Sequence, residues 1–228
     1  MSNDAALFQV NGLVAVITGA GSGLGKMMAH ALASNGARKV YVVGRRLEKL
    51  QDTASGFENV VPVQGDVNDK ESLKALANRV KSEVGYINLL VVNGGYAGNL
   101  EGAPQNPSLS QLQEHLWSYP QEEMNKVFAV NNTGAFFTMV AFLELLEAGN
   151  KQTSLSGVQS QVIFTASLAG FARALSTNAA YSTSKAGTVH QVKMFSTLLA
   201  KHEIRVNGIA PGIYPNEFRS VSLDRARR

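Results

Sequence analysis

The sequence predicts an α/β fold built on one doubly wound parallel sheet with helices on both faces. Short apolar runs, several of them rich in valine and isoleucine, alternate with longer stretches of helical periodicity. Continuous apolar runs of this kind are typical of strands that are buried on both faces of a parallel sheet. The chain has 228 residues, of which 45% are hydrophobic and 17% charged, and this suits a single globular domain. We therefore predict one domain over residues 1–218 and a disordered basic tail over residues 219–228.

Strands and helices are predicted to alternate along the whole domain. The strands are expected over residues 13–18, 39–43, 60–64, 89–93, 161–165 and 205–209. The helices are expected over residues 24–35, 71–84, 121–148 and 180–201. Short connections between them imply right-handed βαβ crossovers. Residues 98–110 and 149–160 are predicted to be loops, and the first of these follows the carboxyl end of a strand, where open α/β sheets bind ligands.

The composition excludes several kinds of site. The chain has no cysteine, which excludes disulfides, thiolate chemistry and iron–sulfur centres, and its four histidines match no metal-ligand spacing, so we predict no metal site. The net charge of +4 is concentrated in the last ten residues, and we favour a solvated tail over an arm that binds nucleic acid or a membrane. No apolar run has the length of a membrane span and the first ten residues lack the layout of a signal peptide, so we expect a cytoplasmic protein.

A glycine-dense turn separates the first predicted strand from the first predicted helix. The turn consists of Gly19, Ala20, Gly21, Ser22, Gly23, Leu24 and Gly25. Bare backbone N–H groups and the helix dipole favour an anion there, and the absence of side chains lets a pyrophosphate approach. The spacing is T-G-x-x-x-G-x-G and differs from the G-x-G-x-x-G and Walker patterns. A purely structural turn is the alternative, which the position after the first strand disfavours.

The residues at the end of the second strand indicate which dinucleotide the site prefers. An acidic residue there would bind the ribose hydroxyls of NAD, but the sequence has Arg45 and Arg46 instead. Two guanidinium groups suit a 2′-phosphate, although both could be solvated residues at the start of a helix. We therefore predict that NADP(H) is preferred over NAD(H). Asp66, after the third strand, could contact the adenine or cap the following helix.

Three side chains suggest chemistry on a carbonyl group. Tyr181 and Lys185 are four residues apart in a predicted helix, so they share one face. A nearby cation favours the phenolate form of a tyrosine, which makes the phenol a general acid for a carbonyl oxygen as hydride reaches the carbon. Ser167 directly follows a predicted strand and is placed to hydrogen-bond the same oxygen, although it could be an ordinary turn serine.

Taken in order, these motifs resemble the classical short-chain dehydrogenase/reductase family over residues 10–218, and the resemblance implies its Rossmann-like fold. The motifs are Thr18-Gly19-x-x-x-Gly23-x-Gly25, Asp66, Asn93-Gly94-Gly95, Asn131, Ser167, Tyr181-x-x-x-Lys185 and Pro211-Gly212. Residues 207–218 are most similar to fungal members described as rhamnolipid-type 3-oxoacyl reductases. Residues 92–95 read V-N-G-G, where the family usually has N-N-A-G.

The resemblance implies a role for each matched residue. Tyr181 would be the proton donor or acceptor, Lys185 would assist it and bind the nicotinamide ribose, Ser167 would hold the substrate oxygen, and Asn131 would anchor a water in a proton relay. The implied cofactor-binding residues are Gly19, Gly21, Ser22, Gly23, Leu24, Gly25, Arg45, Arg46, Asp66, Val67, Asn93, Gly94, Gly95, Tyr181, Lys185, Pro211, Gly212 and Ile213. We expect hydride transfer between NADP(H) and a ketone or secondary alcohol, of which a 3-oxoacyl compound is one candidate. Homodimers and homotetramers are the expected assemblies.

The C-terminal segment departs from the family pattern. Members of the family continue beyond the Pro-Gly turn to another helix and a last parallel strand, whereas residues 220–228 carry no strand signal. We therefore expect a fold that lacks those two elements and leaves residues 205–209 as an edge strand. The alternative to an active enzyme is a catalytically impaired short form that binds nucleotide weakly or acts as an interaction protein.

Overall fold

The strands are those that the sequence predicts, and they form one parallel sheet. The computed structural model describes residues 9–152, 158–173 and 178–212. Its strands are β1 (Val14–Thr18), β2 (Lys39–Gly44), β3 (Val60–Gln64), β4 (Leu89–Val92), β5 (Gln161–Thr165) and β6 (Arg205–Ile209). They pair in parallel in the order β3-β2-β1-β4-β5-β6. The predicted doubly wound sheet is confirmed, and every predicted strand is correct to within one residue at each end.

Most predicted helices are confirmed to within two residues. The helices of the described part are α1 (Gly23–Ser34), α2 (Leu47–Ala54), α3 (Lys70–Glu83), α4 (Leu109–Trp117), α5 (Gln121–Phe128), α6 (Ala135–Ala141), α7 (Leu143–Asn150) and α8 (Ala179–Leu199). The helices α2 and α4 lie where none was predicted. The predicted loop over residues 98–110 therefore ends at Ser108, which caps α4 through a reciprocal pair of hydrogen bonds with Gln111.

The prediction of one continuous helix over residues 121–148 is wrong. The chain forms α5, then the π-helical segment Ala129–Gly134, then α6, and a bend of 47° at Phe142 precedes α7. The π-helical segment contains Asn131 and Asn132, whose side chains bond to residues of α8. These tertiary bonds stabilise the wider turn, and the local apolar periodicity carries no sign of them.

Alternate residues of each central strand belong to two different cores. In β1, Val14 and Val16 face the core that α3, α6, α7 and α8 cover, whereas Ala15 and Ile17 face the core under α1 and α2. All four side chains are fully buried. Because helices cover both faces of the sheet, every residue of β1 is buried, and this explains why the strand is one continuous apolar run.

The strand order reverses at β1, which pairs with both β2 and β4. This reversal opens a crevice at the carboxyl ends of the strands, where ligands bind in folds of this kind. At the other side of the sheet, β6 pairs with β5 and forms an edge of the described sheet. The predicted absence of a further helix and strand concerns residues 213–228, which lie outside the described residues, as does the predicted tail.

The described residues were compared with the requirements of a membrane span and of a metal site because neither is predicted from the sequence. No single helix there has the length and hydropathy of a membrane span, although α5 through α6 taken together with α7 passes the same criteria as a bent pair. In residues 9–152, 158–173 and 178–212 there is no group of three or more histidine, aspartate or glutamate side chains that could hold a metal ion.

Candidate active site

The glycine turn joins β1 to the amino end of α1 and leaves that end open to an anion. Gly19 and Gly23 have φ angles of +65° and +54°, which favour glycine. Ser22 occupies the N-cap position, but its side chain makes no capping hydrogen bond, and the first turn has no acidic residue. The N–H groups of that turn therefore face the crevice together with the positive end of the helix dipole.

Gly25 supports the turn from beneath. A Cβ atom at this position would lie 2.6 Å from the Gly19 carbonyl oxygen and 2.7 Å from the Asn93 amide nitrogen. No side chain fits in that space without moving the backbone. The structure therefore places Gly25 in the close packing of α1 against the end of β1, behind the wall of the crevice.

Thr18 and Asn93 bind the ends of three strands together. The Thr18 hydroxyl accepts hydrogen bonds from the N–H groups of Asn93 and Gly94, both at 3.1 Å. The Asn93 amide donates to the carbonyl oxygens of Thr18 and Gly19 at 3.1 and 3.2 Å, and its own oxygen accepts from the Thr165 hydroxyl at 3.2 Å. The carboxyl ends of β1, β4 and β5 are thus held in register on the floor of the crevice.

Basic side chains line the crevice at the end of β2. Arg45 and Arg46 are exposed and follow Gly44, the last residue of the strand. Asp66 lies nearby, where it accepts a hydrogen bond at 3.0 Å from the N–H of Asn68. The cap of α3 is Asp69, so capping of that helix does not account for Asp66.

Asn131 is buried in the π-helical segment, directly beneath the crevice. Its carboxamide accepts from the N–H of Tyr96 at 2.8 Å and donates to the carbonyl oxygen of the same residue at 2.9 Å. The amide also donates to the Ser184 hydroxyl at 2.9 Å. Asn131 therefore fastens the segment after β4 to the helix that carries Tyr181 and Lys185.

Lys185 is a buried cation at the centre of the site. Its side chain projects from α8, its residue is 5% exposed, and its ammonium group donates a hydrogen bond of 2.7 Å to the Thr165 carbonyl oxygen. The ammonium nitrogen lies 5.8 Å from the centre of the Tyr181 ring. Burial lowers the pKa of Lys185 to about 8, because the charged form loses its hydration. At neutral pH the group still carries its proton.

Ser167 faces the same space from the end of β5. Its hydroxyl accepts a hydrogen bond of 3.1 Å from the N–H of Ala169, which fixes the oxygen at the start of a short 3₁₀ turn. Next to it, the N–H of Leu168 donates to the carbonyl oxygen of Pro211 at 3.0 Å. The loop after β6 is thereby held against the loop after β5.

Nearly all the predicted site residues of the described chain line one cavity of about 570 Å³. Those that line it are Gly19, Gly21, Ser22, Gly23, Leu24, Arg45, Arg46, Asp66, Val67, Asn93, Gly94, Gly95, Ser167, Tyr181, Lys185, Pro211 and Gly212. Gly25 and Asn131 lie behind the wall, and Ile213 lies outside the described residues. The cavity therefore joins a glycine turn and a basic end to a tyrosine, a lysine and a serine.

The cavity wall also contains residues that were not among the predicted site residues. They are Gly44, Lys49, Leu50, Gly65, Asn68, Tyr96, Ala97, Lys126, Val130, Thr165, Ala166, Leu168, Ala169 and Ala172. Asn68, Tyr96 and Ala166 adjoin predicted site residues, so proximity in sequence was the signal. Lys126 is positioned by packing of its ammonium group over the Tyr96 ring at 4.8 Å, which no local pattern reveals.

A family model described as short chain dehydrogenase matches residues 13–224. The chain belongs to the short-chain dehydrogenase family. This match confirms the predicted family and fold. Members of the family are oxidoreductases that bind NAD(P)(H) and act on small molecules. The chain is therefore an oxidoreductase by family.

Relatives within the family include fungal enzymes. Short-chain dehydrogenase/reductase PhomF of Diaporthe leptostromiformis is 44% identical over 219 residues, which cover 94% of this chain and 74% of that protein. Short-chain dehydrogenase/reductase SAT3 of Stachybotrys chartarum is 40% identical, covering 85% and 77%. The rhamnolipids biosynthesis 3-oxoacyl-[acyl-carrier-protein] reductase of Pseudomonas aeruginosa is 29% identical, covering 95% and 79%.

Solved structures that share the fold include one complex with NADP and one with NAD+. The Pseudomonas aeruginosa RhlG/NADP active-site complex has a TM-score of 0.80 at 28% identity, covering 95% of this chain and 78% of that one. The structure of NAD+-bound xylitol dehydrogenase has a TM-score of 0.74 at 28% identity, covering 89% and 70%. The choice between the two dinucleotides therefore depends on the residues of this chain.

Proposed function

We propose that the protein transfers hydride between NADP(H) and a ketone or secondary alcohol. One observation supports this above all: a single cavity joins the basic pair Arg45 and Arg46 to the group formed by Tyr181, Lys185 and Ser167. The basic end supports selection of the 2′-phosphate, and the other end supports proton transfer at a carbonyl oxygen.

The residues of the cavity fit a dinucleotide. The open amino end of α1 and the glycine turn suit the pyrophosphate, because Gly19, Gly21 and Gly23 carry no side chains that would keep its oxygens away from the backbone N–H groups. Arg45 and Arg46 suit a 2′-phosphate, since a guanidinium group binds phosphate through paired, charge-assisted hydrogen bonds. When bound, the nicotinamide supplies or accepts the hydride at the substrate carbon.

The remaining chemistry belongs to the side chains of this protein. In the direction of reduction, the Tyr181 phenol gives its proton to the substrate oxygen while the carbon gains hydride, so the products are an alcohol and a phenolate. The Lys185 ammonium group stabilises that phenolate through its charge, and the hydrogen bond to Thr165 fixes the ammonium group. Ser167 donates to the same substrate oxygen and holds it near the phenol. Asn131 anchors the relay that returns a proton to Tyr181.

The substrate end of the cavity favours a compound with an apolar part. Leu168, Ala169 and Ala172 line the wall beside Ser167, and Leu168 is 56% exposed. A hydrocarbon chain would cover this apolar surface. A 3-oxoacyl compound, the substrate class in the name of the Pseudomonas relative, combines such a chain with a ketone.

We also propose that the enzyme is a homodimer or homotetramer. Phe136 and Val140 of α6 and Met194 and Leu198 of α8 are between 37% and 56% exposed. The rings of Phe136 and Phe195 are 5.7 Å apart, so the two helices present one apolar surface. Light scattering should give a dimer or tetramer for the wild type, and Leu198→Glu should shift it toward the monomer. A monomeric wild type would refute this assembly.

Cofactor selection is tested by fluorescence titration with NADPH and with NADH. We expect the wild type to bind NADPH at least about tenfold more tightly, because the 2′-phosphate gains charge-assisted bonds. The double variant Arg45→Asp, Arg46→Ala should lose that preference. The matched control is Arg38→Ala, which removes a cation that bonds to Tyr86 at a distance from the cavity. Equal affinities of the wild type for both nucleotides would refute the NADP(H) assignment.

The chemical step is tested with Tyr181→Phe. Loss of the proton donor should lower kcat by about 10²- to 10⁴-fold, whereas the affinity for NADPH should stay within about twofold. Tyr86→Phe serves as the control, since its hydroxyl bonds to Arg38 and it does not line the cavity. A Tyr181→Phe variant that keeps most of its activity would overturn the mechanism.

A further inference from the structure

The loop formed by residues 96–101, here called the 96–101 loop, is fastened to three helices. The Glu123 carboxylate of α5 accepts hydrogen bonds from the Tyr96 hydroxyl and from the N–H of Asn99, and the Tyr119 hydroxyl donates to the carbonyl oxygen of Glu101. The Asn178 amide donates to the carbonyl oxygens of Ala97 and Leu100 at 2.8 and 3.4 Å. The N–H and the carbonyl oxygen of Tyr96 also bond to the Asn131 side chain, as described above. Because Tyr96 and Ala97 line the cavity, these bonds fix part of its wall.

Asn178 and Asn131 both contact α8 as well as the loop, but only Asn178 of the two bonds to the backbone of Tyr181 itself, whereas Asn131 reaches α8 at Ser184. It is the N-cap of α8, and its side-chain oxygen accepts a hydrogen bond of 2.7 Å from the N–H of Tyr181. The residue is 5% exposed, so its bonds are shielded from water. One buried carboxamide thus binds the first turn of α8 with its oxygen and the 96–101 loop with its nitrogen.

We propose that Asn178 is a positioning residue that sets the spacing between Tyr181 and the 96–101 loop and so shapes the substrate end of the cavity. This inference rests on the proposed function. Asn178 does not line the cavity and takes no part in proton transfer. It acts through the backbone of Tyr181 and the backbone of the loop.

A carboxamide suits this position because it carries a donor and an acceptor in one rigid plane. A carboxylate keeps the cap, and it is favoured at the amino end of a helix, but it presents an oxygen to two carbonyl oxygens. A serine keeps the cap and lacks the amide that reaches the loop. Asn178→Asp and Asn178→Ser therefore remove the bonds to the loop while leaving the capping bond to α8.

The two variants should separate substrate binding from stability. We expect Asn178→Asp to raise KM for a ketone by about tenfold, the equivalent of one buried hydrogen bond or more, with kcat changed by less than about threefold. The affinity for NADPH should stay within about twofold, because the glycine turn and the basic pair lie on other elements. Asn178→Ser should raise KM by a smaller factor, since it introduces no repulsion. Amide hydrogen exchange in the 96–101 loop should accelerate in both variants.

A matched control is available at Asn59. Its amide donates to the carbonyl oxygens of Ala33 and Ala37 at 3.2 and 2.7 Å, which is the same two-carbonyl arrangement at a distance from the cavity. Asn59→Asp should lower the free energy of unfolding and leave KM unchanged. A wild-type KM and unchanged loop exchange in Asn178→Asp and Asn178→Ser would overturn the proposal, and so would an equal rise of KM in Asn59→Asp.

An error in the proposed function can be told apart from an error in the role of Asn178. If the wild type reduces no ketone with NADPH, the assignment of the reaction is refuted. Hydrogen exchange in the 96–101 loop still decides whether Asn178 holds it, since that measurement needs no substrate. The expected result is faster exchange in Asn178→Asp than in the wild type and in Asn59→Asp, and equal exchange in all three would overturn the proposed role.

Discussion

Replacement of Lys185 by methionine measures the energetic cost of burying its cation in the cavity wall. Burial lowers the pKa of Lys185 from its ordinary 10.5 to about 8. Each pKa unit is worth about 1.4 kcal/mol, so the charged form costs about 3 kcal/mol in the folded state below pH 8. Methionine preserves most of the methylene stem and carries no charge. The difference in the free energy of unfolding between Lys185→Met and the wild type should therefore depend on pH.

The sign follows from proton linkage. Between about pH 8 and pH 10.5 the unfolded wild type binds the proton on Lys185 and the folded wild type does not, so the stability contribution of this group rises with pH. The variant lacks the group. Its free energy of unfolding minus that of the wild type should thus fall by about 3 kcal/mol between about pH 7 and about pH 10.5. The lost bond to the Thr165 carbonyl oxygen adds a constant offset that does not alter this slope.

Urea unfolding of the two proteins without nucleotide, followed by circular dichroism at several pH values, provides the measurement. Other groups that titrate in this range are common to both proteins and cancel in the difference. A difference that stays constant with pH would refute the reasoning, because it would mean that the folded protein does not disfavour the charged lysine. Under the proposed mechanism the variant should also be inactive at every pH, since it lacks the ammonium group that would stabilise the Tyr181 phenolate.

Three further substitutions test the supports of the site and the fold. Gly25→Ala should lower the free energy of unfolding by about 2 kcal/mol or more, because its Cβ would lie 2.6 Å from the Gly19 carbonyl oxygen. Urea unfolding measures this change, and an unchanged midpoint would contradict the prediction. Thr18→Val should lower the free energy of unfolding by about 2 kcal/mol and weaken NADPH binding, because it removes the acceptor of two N–H groups at the end of β4. A variant with wild-type stability and affinity would contradict this prediction. Hydrogen bonds from the side chains of Arg79, Lys39 and Tyr41 lower the pKa of Glu83 to about 2. Glu83→Gln should therefore cost roughly 1 kcal/mol at neutral pH after allowance for solvent screening, and the cost should vanish as the pH falls from about 4.5 through 2; a cost independent of pH would contradict this.

The strands were predictable because their residues face apolar surroundings on both sides. In β1, Val14 through Ile17 are all fully buried, so the pattern is one continuous apolar run with no period to misread. The glycine turn was equally visible, since positive φ at Gly19 and Gly23 demands the residue that the sequence shows. In both cases local composition follows directly from the local environment.

One part that escaped prediction, the π-helical segment, depends on bonds between residues far apart in sequence. The π-helical segment is stabilised by Asn131, whose partners are Tyr96 and Ser184, and an isolated asparagine in a helical pattern carries no sign of them. The helix α4 did have a local signal, because Ser108 and Gln111 have the spacing of a capping box. The nearby prolines at 104 and 107 favoured the loop prediction instead.

The two ends of the cavity differ in how far backbone packing supports them, and under the proposed function this bears on how the enzyme can change. The glycine-turn end, where we propose that the nucleotide binds, depends on the side-chain bonds of Thr18 and Asn93 and also on backbone packing at Gly25, where any side chain collides with the Gly19 carbonyl. The end lined by the 96–101 loop, which we propose binds the substrate, depends on side-chain hydrogen bonds that involve Asn131, Glu123 and Asn178, and each such bond contributes about 1 kcal/mol. Substitutions at the nucleotide end therefore threaten the fold, whereas those at the substrate end can move the 96–101 loop at modest cost. Substrate selectivity is thus the property of this site that sequence change can alter most readily without loss of the nucleotide.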